Sequence, residues 1–461
     1  MPRRQLPAPD AGDLQPSWCR LWLWVQKHRQ SLANLIGQTR SKDKNIAEKL
    51  VQAEASLEPM LEQVLQELSW SQSNDLLMRA YICLIELERR ASNKVEQHWD
   101  ENGKVNLDNE TYVLLSPLRH TARVGSDKER FALSDELAID GTLGLRFRWV
   151  KTPYGQDIVR KRITELADFQ GKSSVCVAMA PFASHRDMHW AAFPDDANEL
   201  NSRVPMRCGG SIDKDAMAAR LDSILRTAWD ASAHVLLLPE LVVDDDLLQH
   251  CKRWLETHNL RAPRLRLVVA GSRHCHEGEN FANRCTVLDA AGDVLWEQDK
   301  RSHFVIDQPD ALQTLFPGSE MAKVFEPTSL GKTITVAETE IGRLLTPICL
   351  DYLKGDLWDE LGADMYLVPA MSGNLSRFVD QAKAMGGRHG AASFVCNAQD
   401  SATEEKCRLA YLPLKTQPLI QRLPSPSEIT PPLFTVEVCP GQVFSNTPIG
   451  SQPLKPAQTQ V

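Results

Sequence analysis

The chain has no CxxC pair, no long apolar run and no excess of basic charge, and each absence removes a class of protein. Its eleven cysteines stand at 19, 83, 176, 208, 251, 275, 285, 349, 396, 407 and 439. An odd, irregularly spaced set is not a secreted disulfide framework, so a reducing compartment, the cytoplasm, is expected. The first apolar burst, Leu21 to Val25, is far too short for a signal-peptide core or a membrane span, so neither export nor membrane insertion is expected. Lys plus Arg is 52 against 60 Asp plus Glu, a net charge of −8, with both signs spread along the chain. That balance argues against a sequence-general nucleic-acid binder. No internal repeat is visible. His274, Cys275, His276 and Cys285 cluster without the spacing of any zinc finger, and neighbours on a strand point to opposite faces. A polar loop at a pocket rim is therefore expected there, and no metal.

What remains is a 43% hydrophobic, 24% charged chain of 461 residues, the composition of an ordinary globular protein long enough for at least two folded units. From about Pro16 to Trp99 apolar residues recur at helical spacing. Ile46, Leu50, Leu57, Leu61, Val64, Leu65 and Leu68 form one stripe, and Leu77, Tyr81, Leu84, Ile85 and Glu88 begin another. Ser41 to Asp43 and Ser73 to Asp75 offer the caps. The Trp18, Trp22 and Trp24 group reads as packing. The expected organisation is a helical module over 1–115, a mixed connection over 116–170 with a candidate strand at Leu143 to Val150, an α/β domain over 171–439 and a loosely held tail over 440–461.

In the α/β region short apolar runs alternate with turns: Val175 to Ala180, Val235 to Leu238, Leu265 to Ala270, Arg284 to Leu288, Thr333 to Ala337, Leu344 to Leu350, Met365 to Val368 and Ala392 to Cys396. Such runs are strands buried on both faces. Amphipathic helices are expected at Lys214 to Trp229 and Leu247 to His258. Three runs end on a reactive residue. Leu236-Leu237-Leu238-Pro239 leads to Glu240, a carboxylate that burial can turn into a general base or that simply caps the next helix. Trp296 to Asp299 leads to Lys300, an ammonium able to hold an oxyanion or to end a hairpin in solvent. Thr346-Pro347-Ile348 leads to Cys349, a nucleophile presented beside a backbone amide or a small core thiol.

Together, in this order and with these neighbours, the three stretches resemble the nitrilase, or carbon-nitrogen hydrolase, superfamily. Val268 to Ser272, Asn283 with Asp289 to Gly292, Phe316 to Glu320, Gly362 to Ala370, and Gly387-Arg388 with Asn397 extend the resemblance over about 173–397. It implies a four-layer α-β-β-α sandwich with a Glu-Lys-Cys site: Cys349 the nucleophile, Glu240 the proton carrier, Lys300 and the amide of Leu350 the oxyanion donors. Asn283, Met371 and Ser372 would lie around the substrate. It implies no cofactor, a small amide substrate ahead of a nitrile, and a homo-oligomer. The added N-terminal module is expected to serve regulation, partner docking or assembly. Two residues, Arg301 and Ser302, separate Lys300 from His303 where such sequences commonly have one, so Arg301 is the alternative to Lys300. No second Glu follows before Glu320, which leaves Asp307 or Asp310 as its substitute. The long stretch Ser184 to Asp213 reads as an insertion that lids the pocket or forms an interface. Two other classes would carry the same residues: a silent nitrilase-like scaffold or sensor in a multidomain assembly, such as one serving defence, and a thioester-forming N-acyltransferase.

Overall fold

The computed structural model describes residues 14–39, 57–69, 73–95, 103–115, 147–166, 174–192, 204–277, 280–318, 323–326, 329–398, 404–413, 420–423 and 432–438. Ile46, Leu50, the Ser41 to Asp43 cap and the 440–461 tail lie outside them. The described residues up to Pro153 form one compact unit and those from Tyr154 onward a second.

The first unit packs helices Gln15–Lys27, Arg29–Thr39, 57–67 and Asn74–Val95 with a small antiparallel sheet of β1 (Lys104–Leu107), β2 (Glu110–Leu115) and β3 (Arg148–Lys151). The expected cap forms: Ser73 Oγ accepts from the Leu76 amide at 3.1 Å. Glu88, the one acid in the apolar stripe, is buried and accepts from the Phe147 amide at 3.2 Å. Trp18 packs edge-on against Phe147 and Trp149, and Trp22 Nε1 donates to the Phe147 carbonyl at 3.1 Å, so these two tryptophans are core. The candidate strand at Leu143 to Val150 is β3, whose described residues start at Arg148.

The second unit is the expected four-layer sandwich. One sheet has the order β11 (Val294–Asp299), β10 (Asn280–Leu288), β9 (Leu267–Glu277), β8 (Val235–Leu237), β5 (Val175–Met179), β20 (Leu433–Val438), β19 (Gln421–Leu423). The other has the order β18 (Arg408–Tyr411), β17 (Ala392–Asn397), β16 (Met365–Ala370), β15 (Gly342–Leu345), β14 (Thr333–Thr339), β4 (Asp157–Ile163). β4 comes from the stretch expected to be a connection. Residues 176, 178, 236, 238, 268 and 270 pack in one cluster with helices Lys214–Asp230 and Asp245–Trp254, as period-two alternation requires. The sheets meet through their other faces, where Trp296 Nε1 donates to Thr346 Oγ1 at 3.1 Å and Gln298 Oε1 accepts from the Thr335 amide at 3.0 Å. Helices Leu350–Lys354 and Ser376–His389 cover the second sheet, the former through the Tyr352 hydroxyl on Ser393 Oγ at 2.7 Å.

Two strand expectations need correction. The run Leu344 to Leu350 is strand only to Leu345; Pro347 lacks an amide proton for the ladder and Cys349 has φ +45°, so the chain turns there and a helix begins at Leu350. β9 runs on to Glu277, well past Ala270, because β10 pairs with it antiparallel along that whole extension. The insertion Ser184 to Asp213 contributes an antiparallel hairpin, β6 (Met188–Ala192) and β7 (Val204–Ser211), and β7 runs parallel to β13 (Val324–Phe325), which pairs with β12 (Val305–Ile306).

Candidate active site

Glu240, Lys300 and Cys349 each stand just past the carboxyl end of a strand, β8, β11 and β15, and two of those ends are held by unusual backbone. Behind Glu240, Gly271 has φ +63° and lies so close that a Cβ there would sit 2.1 Å from the Pro239 carbonyl oxygen. Only glycine permits that approach. The next residue, Ser272, donates its amide to the same carbonyl at 3.3 Å and accepts the Leu241 amide on Oγ at 3.2 Å. The Val268 to Ser272 motif is thus the seat of the Glu240 turn. At the third end, Cys349 adopts φ +45°, ψ −103°, a conformation costing a non-glycine residue on the order of 1–3 kcal/mol. Its amide donates to the Pro369 carbonyl at 2.9 Å, fixing the turn against the end of β16.

The three side chains converge. Lys300 Nζ lies 2.8 Å from Glu240 Oε1, with both side chains 2% exposed. Glu240 Oε2 accepts from the Met371 amide at 2.9 Å, and Cys349 Sγ stands 4.0 Å from the Met371 carbonyl oxygen. Burial pushes the Cys349 thiol well above its ordinary pKa; the Glu240 charge adds to this, and the Lys300 charge opposes it. The resting sulfur is therefore a thiol with a carboxylate ready to take its proton. Arg301 does not take the lysine's place: its amide donates to Asp351 Oδ2 at 2.8 Å, whereas Lys300 is the buried cation on the carboxylate.

The second acid is neither Asp307 nor Asp310, both of which are exposed. It is Glu326, 1% exposed, whose Oε2 lies 2.7 Å from Lys300 Nζ. A helix, Pro309–Leu315, and the short β13 intervene between Lys300 and this acid, which puts it far beyond the few residues after the lysine where such an acid is expected. Burial pushes the Glu326 carboxyl up, but the Lys300 charge and the bonds from His274 and Lys300 outweigh it and hold the carboxyl below the usual range. Asn283 is fully buried and donates Nδ2 to both acids, 3.0 Å to Glu240 Oε1 and 2.7 Å to Glu326 Oε1; it ties the carboxylates together.

Of the other expected residues, Leu350 is half-buried and opens the helix after the cysteine. Met371 clamps Glu240 through its backbone. Ser372 spends its polar groups on β17 and its own turn: its amide donates to Asn397 Oδ1 and its carbonyl accepts Asn397 Nδ2, both at 2.8 Å, while Oγ donates to the Asn374 carbonyl at 3.0 Å. His274, expected at a polar rim, is instead buried with Nε2 2.9 Å from Glu326 Oε1.

No protein-family model and no curated protein matches this sequence. The solved structures that it resembles include members of the nitrilase superfamily. Nit3 of Saccharomyces cerevisiae, a member of branch 10 of that superfamily, is 12% identical, with 58% of this chain and 91% of that one covered at a TM-score of 0.38. An amidase from Nesterenkonia sp. is 17% identical over 59% of this chain and 92% of that one, TM-score 0.37. The Caenorhabditis elegans NitFhit protein is 13% identical over 58% and 61%, TM-score 0.36. At such identities and TM-scores these likenesses say nothing of activity, and the chemistry rests on the side chains described above. Among the described residues no helix is long and apolar enough to cross a membrane.

Proposed function

We propose that this chain is a nitrilase-like carbon–nitrogen hydrolase that cleaves a small amide through a thioester on Cys349. The observation that carries the reading is the buried cluster itself: a thiol on a strained turn and a carboxylate, both against the Met371 backbone, with the carboxylate sharing one ammonium with a second carboxylate. Burying two acids against one lysine is costly for stability alone, and such arrangements are found where proton transfer needs them.

The chemistry is set by the donor count. As Sγ bonds to the carbonyl carbon, Glu240 takes the thiol proton. It then gives that proton to the amide nitrogen, the C–N bond breaks, and ammonia or an amine leaves a thioester. Water attacks the thioester with Glu240 again as the base, the C–S bond breaks, and the acid and thiol are regenerated. Each half has a lower barrier than direct attack of water on the amide. An ammonium has three N–H donors. Two of those on Lys300 are spent on Glu240 and Glu326, so one is left for the oxyanion, with the Leu350 amide as its companion donor. Lys300 is therefore aimed by the two acids as well as charged, and Glu326 and Asn283 serve to aim it.

The test is product release from a panel of short amides and nitriles. Ammonia release that is lost in a folded Cys349→Ala variant supports the reading, and unchanged release in that variant would sink it. Release from amides with none from nitriles is the expected pattern.

A further inference from the structure

One buried side chain beside the charged cluster takes no part in the bond-making and proton-transfer steps described above. His274 Nδ1 accepts the backbone amide of Cys208 at 3.0 Å, and Nε2 lies 2.9 Å from Glu326 Oε1, with both side chains 1% exposed. A backbone N–H can only donate, so Nδ1 carries no proton. Nε2 must then carry the one proton of a neutral ring and donate it to the carboxylate. We propose that His274 is a tautomer-locked positioning residue, and that the inserted hairpin, through the Cys208 amide on β7, sets the charge state of the Glu326–Lys300–Glu240 cluster. The inference rests on the hydrolase reading and adds a role for the insertion.

Its physical content is a charge count. With the ring neutral, two carboxylates share one ammonium and the buried cluster holds one negative charge in excess. A proton from the thiol is what that excess can accept. An imidazolium at 274 would instead neutralise Glu326 and leave Lys300 wholly to Glu240, which would hold the base in its ionised form and quench proton transfer. The ring's other surroundings are a polar cavity of about 80 Å³ lined also by Arg207, Asp244, Asp245 and Arg273. Asp245 is engaged by Arg273 Nε at 2.6 Å, and Asp244 by the Ser211 and Leu247 amides. Neither acid is the partner of the His274 ring.

Two substitutions divide the ring's two bonds. His274→Gln keeps a donor long enough to reach Glu326 and loses the acceptor for Cys208. His274→Asn keeps an acceptor at the Nδ1 position and loses the reach to Glu326. The rate of Cys349 alkylation by iodoacetamide, read by mass spectrometry of the Cys349 peptide, reports proton transfer from the thiol without needing the natural substrate. The expected result is H274Q within about threefold of the native rate and H274N slower by about 10–100-fold, since misplacing a reacting group by about 1 Å can cost a hundredfold. Stability should run the other way, with H274N melting above H274Q because the Cys208 amide stays paired. Rates that track stability, or two variants equal to the native protein, would overturn the proposal. If neither variant folds, the native protein decides: its His274 ring, identified by coupling to the Cys208 amide, should be the neutral Nε2–H form at pH 7, and an imidazolium or Nδ1–H form would overturn it. Failure of the hydrolase reading looks different, since Cys349 would then form no acyl adduct whatever stands at 274.

Discussion

Replacing Lys300 by Met removes the only partner cation within reach of Glu240 and Glu326 among the described residues and leaves both acids buried. The lysine makes two charge-assisted hydrogen bonds, 2.8 Å to Glu240 and 2.7 Å to Glu326. Each is worth about 1.5–3 kcal/mol, and breaking a buried ion pair from one side costs about 3–5 kcal/mol. A loss of about 3–5 kcal/mol is therefore expected near pH 8, which at roughly 2–4 °C per kcal/mol lowers the melting temperature by about 6–20 °C. The acids set the sign of the pH dependence. Without the lysine, burial pushes the Glu326 carboxyl up with only the bonds from His274 and Asn283 left to oppose it, so its proton affinity in the folded state rises above that in the native protein. An acid whose folded pKa is raised contributes more stability as pH falls, so the variant's deficit should narrow from pH 8 toward pH 5. The double variant Lys300→Met, Glu326→Gln removes one of the two stranded charges and should regain part of the loss while restoring no turnover. Urea or thermal unfolding of the native protein and both variants across pH 5–8 is the assay. A deficit below about 1 kcal/mol, or one that does not change with pH, would refute the charge count on which the site is built.

Three further outcomes are expected. Gly271→Ala places a Cβ 2.1 Å from the Pro239 carbonyl oxygen at φ +63°, so the Glu240 turn must move and the turnover number should fall at least about tenfold, since misplacing a reacting group by about 1 Å can cost a hundredfold; a native rate would show that the turn is not held there. Asp351 is pushed from its ordinary 3.8 to about 6 by burial, against the bonds from the Arg301 amide and Ser302. That rise is worth about 3 kcal/mol, lost as pH climbs from about 4 to about 6, so Asp351→Asn should flatten the pH dependence of unfolding in that window and bring a gain toward neutral pH. Cys396 is fully buried in β17, so Cys396→Ala should cost stability through a small cavity and spare the rate, whereas Cys349→Ala should abolish the rate; equal catalytic loss in the two would count against Cys349 as the nucleophile.

The parts of this molecule legible in its sequence are those where a buried strand runs straight into a reactive residue. Glu240 and Cys349 can be read because each follows a run of buried residues, Lys300 because it directly follows the edge strand β11, and the sandwich because the buried runs alternate with amphipathic helices at Lys214–Asp230 and Asp245–Trp254. Glu326 cannot, because it comes after a two-residue strand, Val324–Phe325, too short for any periodicity, and its partner Lys300 is reached only across an intervening helix. His274 is visible in the sequence only as one of several histidines near cysteines. Its meaning depends on β9 continuing to Glu277, so that alternation turns residue 274 inward while the Cys208 amide, distant in sequence, meets it on β7. The backbone at Cys349 is hidden too. Its apolar neighbours Leu344, Leu345 and Ile348 read as one strand, and the signal against that reading is Pro347.

The most direct test of the account is to find where the acyl group goes. Incubation with a cleaved short amide, acid quench and peptide mass spectrometry should place a hydroxylamine-labile acyl adduct on Cys349 alone, absent from a folded Cys349→Ala variant that also releases no ammonia. Turnover with the adduct on another residue, or with none on Cys349, would contradict it.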